Sequence, residues 1–183
     1  LLLAWTVFRR FYDNRRGHRR FMKAAIALGV LMNLVLHIHL INPIIPIAPA
    51  DDNTRQFHGW RDLGRHLNAI VDNHPSDSGY FLIANRMTTV AEIVFYTGNR
   101  YIGIHLFDLE KYTFLKGLDK LKGKDALIVL HHFSHGQLKK YAPFFEELSV
   151  IGSHDYRFRN TVIDELSATI LLGTHFKGID GVP

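Results

Sequence analysis

Three histidines gather where an apolar run ends: DALIVLHHFSH sets His131, His132 and His135 close together. If the chain turned helical there, His131 and His135 would face one ligand, and imidazole suits zinc, copper or nickel. No carboxylate or thiolate stands at ligand spacing beside them, and 12 histidines over the chain make such local groupings ordinary. We therefore assign no metal ligand. GSHD, from Gly152, offers Ser, His and Asp in succession, but neighbours on a strand point to opposite faces and cannot assemble a triad. Asp51 and Asp52 form a paired carboxylate that reads as solvated linker. Neither a GxGxxG nor a GxxxxGK[ST] phosphate cradle occurs, nor a GxSxG elbow. Asn85, Arg86 and Glu92 carry more information. They place a guanidinium and a carboxylate just past the strand-like run YFLIA, at the edge where open α/β sheets bind ligands. An Arg there could hold a phosphate or a sugar hydroxyl, or could instead serve as a structural ion pair or cap.

The elements that would position these groups follow from hydrophobic periodicity. In HGWRDLGRHLNAIVDN, from His58 to Asn73, Trp60, Leu63, Leu67, Ile70 and Val71 recur at helical spacing. YFLIAN reads as a buried strand, the stretch from about Thr88 to Gly98 as a helix, and RYIGIHLF as a second strand. The segment 108–122 is a helix or a helix-containing loop. DALIVLHHF is the clearest strand. Ser134 to Leu148 is helical with a kink at Pro143, and the runs Leu148 to Arg157 and Ala168 to Phe176 are β-rich. Strands alternating with helices predict an α/β domain over residues 58–183 with a largely parallel sheet, closed by an antiparallel hairpin.

Ahead of that domain, residues 24–50 contain no Asp, Glu, Lys or Arg. Residues 24–42 are long enough to cross a bilayer as one helix, since about 20 apolar residues at ~1.5 Å each span the hydrocarbon core. Before them, residues 9–23 hold six Arg and one Lys against one Asp, which marks a cytoplasmic loop and places residues 43–183 outside the cytoplasm. Residues 1–8, LLLAWTVF, read as the end of a preceding membrane helix, and 43–57, with Pro43, Pro46 and Pro49, as a linker. From Asp51 onward 15 Lys and Arg face 16 Asp and Glu, so the net charge of +5 belongs to the loop before the helix. A nucleic-acid binder would carry its basic patch on the folded domain, so nucleic acid is excluded as partner. The absence of cysteine removes disulfides, zinc-thiolate sites and thiol chemistry together.

GWRDLGRHL, then YFLIANRMTTVAEIVFYTGNR, then KGKDALIVL, together resemble the C-terminal extracytoplasmic domain of bacterial membrane glycosyltransferases related to protein O-mannosyltransferases and the aminoarabinose transferases of lipid A. Gly59, Trp60, Arg61, Asp62 and Leu63 match the first element of that pattern. Asn85, Arg86, Ala91, Glu92, Phe95 and Tyr96 match the second, and Gly123, Asp125, Ala126 and Leu127 the third. Asn85 stands where the family has Asp, and Met87 where it has an aromatic residue. The resemblance implies a multi-pass enzyme of the inner membrane that moves a sugar from a polyprenyl-phosphate donor to a glycan, lipid or protein acceptor. It implies Arg61, Arg86 and Glu92 as substrate-binding residues. The family's catalytic acid lies in the first extracytoplasmic loop, to which no position here corresponds, so this stretch carries no catalytic residue and no cofactor; the intact enzyme has room for a divalent metal. Two rival readings stay open: a membrane-anchored binding module without a reaction of its own, and a histidine-ligated metal enzyme.

Overall fold

A computed structural model of the chain describes Trp5, Thr6, Arg9, residues 16–107 and residues 118–178. The chain divides into two compact units, Leu1–Ala48 and Pro49–Pro183. The first is built on one long helix, α1 (Arg16–Ile41). It begins inside the basic cluster rather than after it, because Arg, Met and Lys propagate a helix once it is nucleated. Its stretch Arg19–Ile41 is long and apolar enough to span a membrane, and Leu28, Leu31, Met32, Leu34 and Leu36 are exposed around it. Two of its histidine rings are paired within this unit. The His37 ring donates to the Asn33 carbonyl one turn back (2.8 Å), and the Ile45 N–H donates to Nδ1 of His39 (3.0 Å) across the break at Pro43. In an apolar surrounding such internal pairing is what makes a ring tolerable. The expected end of an earlier helix over residues 1–8 lies outside the described residues apart from Trp5 and Thr6.

The second unit is a mixed α/β domain. Its helices are α2 (Trp60–Asn73), α3 (Met87–Tyr96) and α4 (His135–Tyr141). Its strands are β1 (Tyr80–Ala84), β2 (Gly103–Ile104), β3 (Asp125–His131), β4 (Glu147–His154), β5 (Arg157–Phe158), β6 (Thr161–Val162) and β7 (Ala168–Thr174). Five strands form one sheet in the order β2-β1-β3-β7-β4. β1 pairs parallel with β2 and β3, while β7 lies antiparallel to both β3 and β4. The two β-rich runs expected to close the domain, β4 and β7, do pair antiparallel, beside strands that run parallel to one another. The last strand inserts between β3 and β4 and leaves β2, β1, β3 and β4 pointing the same way. Between β4 and β7 the chain adds a separate ribbon, β5–β6, whose turn residues Arg159 and Asn160 both have positive φ (50° and 63°), the pattern of a type I′ turn.

Alternation along the strands sorts the core onto the two faces of the sheet. Phe81, Ile83, Ala126, Ile128 and Leu130 pack on one side with Tyr141, Phe144, Phe145 and Phe176. Leu82, Ala84, Leu127 and Val129 pack on the other with Trp60, Leu63 and Leu67 of α2 and Val90 and Ile93 of α3. The amphipathic spacing in residues 58–73 is therefore the face that α2 presents to the sheet. α2 and α3 approach closely because residue 64 is glycine: a Cβ there would lie 2.6 Å from the Tyr96 carbonyl oxygen. Of the segment 108–122, Leu118–Leu121 forms a 3-10 turn, and 108–117 lie outside the described residues. The helix expected from Ser134 ends at Tyr141, and Pro143 sits in the 3-10 turn Ala142–Phe144.

Part of the segment expected as a linker over 43–57 has structure of its own. The compact unit starts at Pro49, and Asn53–Phe57 is a 3-10 turn belonging to it. Asp52, expected to be solvated, is 1% exposed. Its Oδ1 accepts from the Thr54 amide (2.9 Å) and hydroxyl (2.7 Å), and its Oδ2 pairs with the Arg159 guanidinium at 2.6 Å. Asp51 is exposed.

Candidate functional site

The carboxyl ends of β1 and β3 are tied together by one side chain. Asn85 Nδ2 donates to the His131 carbonyl (2.8 Å), and Asn85 Oδ1 lies 3.3 Å from the His131 amide, which donates to it. The amide group continues the ladder one step past β1. An aspartate could accept the second bond but not donate the first. The tie therefore needs Asn at this position.

Beyond that tie the chain opens onto two small cavities that share Gln56, Arg86 and Leu166. One, of about 220 Å³, is lined by Phe57, Trp60, Thr88, Thr89, Glu92 and His131 as well. The other, of about 200 Å³, adds Asn53, Arg55, His132 and Glu165. Arg86 holds the N-cap position of α3 and is exposed. Its carbonyl receives the Val90 amide (3.0 Å), while its side chain makes no cap bond. Among the described residues the Arg86 guanidinium has no ion-pair partner, and the same holds for Glu92. The two groups line one cavity without closing on each other. Burial raises the Glu92 carboxyl above its usual range. Arg55, by contrast, is engaged with Glu165 at 3.1 Å.

The wall of the larger cavity is set by packing. Gly59 caps α2 in the left-handed region (φ 78°), and a Cβ there would lie 2.4 Å from the Tyr156 ring. Only glycine fits both constraints. Trp60 follows, buried, with its Nε1 donating to the Gln56 carbonyl at 2.7 Å. Its ring stands edge-on to His131, with centroids 6.2 Å apart. The Tyr156 hydroxyl donates to the Arg55 carbonyl, and burial pushes its pKa up to about 12. Trp60 and Tyr156 thereby hold the 53–57 turn over the sheet edge.

Arg86 and Glu92, expected together, are thus brought together. Arg61 is not: it is exposed on α2 and lines neither cavity. The three histidines separate. His131 is buried, His132 lies at positive φ (54°) on the wall of the smaller cavity, and His135 is exposed on α4. Among the described residues no group of three or more metal-ligating side chains assembles. Ser153, His154 and Asp155 line a more open cavity with Gly59, Asp62 and Arg157, where Asp62 is paired with Arg65 (2.8 Å) and Arg157 lies 3.7 Å from Asp155.

Sequence reasoning missed Gln56, Phe57 and Leu166, and treated Trp60 as helix core and part of a matched pattern, and His131 as a candidate metal ligand, without placing either at this site. One signal was available. Asp52-Asn53-Thr54 is the pattern of an Asp capping a turn, which argues for structure where three prolines suggested a linker. No protein-family model, no curated protein and no solved structure matches this chain.

Proposed function

We propose that this chain is part of a multi-pass membrane glycosyltransferase that moves a sugar from a polyprenyl-phosphate donor to an extracytoplasmic acceptor. In this reading α1 is a membrane span, and the α/β unit positions a substrate at the edge of its sheet. The observation that supports it best is the cavity at the carboxyl ends of β1 and β3. There Arg86 and Glu92, matched in the resembling family, line one space and neither is used up in an ion pair. An unpaired guanidinium at that edge is suited to a phosphate, which it meets with two parallel N–H donors. The Glu92 carboxyl, its pKa raised by burial, offers oxygens that can accept hydrogen bonds from a sugar hydroxyl. Nothing in this arrangement supplies a nucleophile or a general base paired to one. Its contribution is orientation, and the chemical step belongs to an acidic residue elsewhere in the complete enzyme.

The test is sugar transfer by the complete enzyme, purified in detergent with a polyprenyl-phosphate sugar. Arg86→Ala and Glu92→Ala should each lower kcat/KM by roughly 10-fold to 100-fold, the range in which positioning groups act, with normal membrane insertion. Wild-type rates for both variants would reduce the cavity to scaffold. Transfer by residues 1–183 alone would refute the placement of the chemistry elsewhere. Binding at this site without transfer by the complete protein would favour the rival reading, a membrane-anchored binding module.

A further inference from the structure

His131 ends β3 on the α2–α3 side of the sheet and is 2% exposed. Its Nδ1 lies 3.3 Å from the carbonyl oxygen of Ser167, which can only accept, so the proton of the ring sits on Nδ1. Nε2 of the neutral ring is then a bare lone pair. It is buried and has no hydrogen-bond partner in the protein. A buried acceptor left in this state is destabilising, and its need is specific: a donor. Burial, together with the positive charges of Arg86 and His132, lowers the pKa of the ring and so favours that lone pair, although the Ser167 and Leu166 carbonyls work in the opposite direction.

His131 shares its cavity with Trp60, Arg86 and Glu92. A ligand that supplied the donor as an ammonium would bring positive charge beside an unpaired guanidinium, so the donor suited to this space is a hydroxyl. The guanidinium asks for an anionic group on the same molecule. Trp60 offers an aromatic wall, and a volume of about 220 Å³ is below the usual range for cofactor pockets, about 300–1,000 Å³, which matches one sugar ring better than a nucleotide. We infer that this cavity binds a hydroxyl-bearing anion the size of a single sugar, with Arg86 taking the anionic group and Nε2 of His131 accepting a hydrogen bond from a hydroxyl. The inference deepens the proposed function and rests on it only for the source of the sugar, which could be a free sugar phosphate, a sugar acid of an acceptor or a lipid-linked headgroup.

The test uses the full 183-residue chain in detergent micelles with 15N-labelled histidine. Glucose 1-phosphate, glucuronate, glucose and inorganic phosphate are titrated separately, followed by bicelles carrying a polyprenyl-phosphate hexose. Glucose 1-phosphate or glucuronate should move the Nε2 resonance of His131 in the direction of an accepted hydrogen bond. Glucose and inorganic phosphate should each bind at least 10-fold more weakly. A response to bicelles alone identifies a lipid-linked source, and a response to the free compounds a soluble one. His131→Asn keeps a donor for the Ser167 carbonyl and deletes only the Nε2 position. It should weaken glucose 1-phosphate about 10-fold and leave inorganic phosphate unchanged, whereas Arg86→Gln should weaken both. An Nε2 resonance that no probe moves at millimolar concentration would overturn the inference, as would one already hydrogen-bonded to a buried water, or wild-type affinity in His131→Asn. The two readings fail separately: binding without transfer by the complete enzyme removes the glycosyltransferase reading and leaves this site, and transfer with a silent Nε2 does the reverse.

Discussion

Burial holds the rings of His131 and His154 below the ordinary histidine range. At His131 the nearby charges of Arg86 and His132 add to the effect while the Ser167 and Leu166 carbonyls oppose it. At His154 the stacked His66, 5.6 Å away, adds to it while Asp62 and Asp155 oppose it. The unfolded chain takes up protons near pH 6.5, and the folded chain resists them at these two positions. Their contribution to stability is therefore complete above about pH 6.5 and is lost as the pH falls through the lower folded values. Glu92 runs the other way. Its raised carboxyl contributes below the ordinary glutamate value and loses that contribution as the pH rises through the folded one. Thermal unfolding of the full chain should show Tm falling between pH 7 and pH 5, with a shallower fall in His154→Asn, which removes one of the two rings without touching the cavity of Arg86. An identical slope in that variant would mean that protonation of His154 is not linked to unfolding.

At the scale of elements, the turn Asn53–Phe57 and the ribbon β5–β6 are fastened to each other across more than a hundred residues by Asp52 and Arg159. Arg159 sits at positive φ and stacks on Phe158, so its backbone is held in a conformation that L side chains seldom adopt. Asp52→Ala would remove the carboxylate from a guanidinium that is only 22% exposed and free the Thr54 amide and hydroxyl. Removing one partner of a well-buried pair costs about 3–5 kcal/mol, and solvent at Arg159 brings the expectation here to roughly 2–3 kcal/mol, read as a lower urea midpoint. A midpoint within error of wild type would show the fastening to be dispensable. The fastening was illegible in the sequence because its partners are far apart, and the one local sign of the turn, Asp52-Asn53-Thr54, was outweighed by the linker signal of Pro43, Pro46 and Pro49. The parts with local signals were readable: α2 from Trp60, Leu63 and Leu67, α3 from its stop at Gly98, and β1 and β3 from their apolar runs. The insertion of β7 between β3 and β4 was not readable, since strand order is decided by packing rather than by any one stretch. The site divides the same way. Arg86 and Glu92 could be found from the position of a strand end, whereas Trp60, Gln56, His131 and Leu166 converge only once the sheet is built.

For the molecule as a whole, two units with different chemistry follow one another along the chain. α1 exposes apolar side chains around its length, and its apolar stretch of 23 residues, at ~1.5 Å each, reaches about 35 Å, enough for a hydrocarbon core of about 30 Å. The unit that starts at Pro49 has instead buried its apolar residues on the two faces of a sheet, as a water-facing domain does. The excess of Arg lies before and at the start of the apolar stretch, and from Asp51 onward charges nearly balance, so the asymmetry that orients a span favours keeping the start of α1 in the cytoplasm and carrying the α/β unit across. The chain has no cysteine, which makes the arrangement directly testable. Single cysteines at Gly17 and at Asp77, both exposed positions, should report opposite sides. A membrane-impermeant maleimide should label Asp77→Cys in bacterial spheroplasts expressing the chain, and Gly17→Cys only after the membrane is opened. Labelling of Gly17→Cys alone before opening would invert the orientation and put the cavity of Arg86 on the cytoplasmic side, where an extracytoplasmic acceptor could not reach it. Equal labelling of both would mean that α1 does not span, and a polyprenyl-phosphate donor would lose its reason to meet this domain.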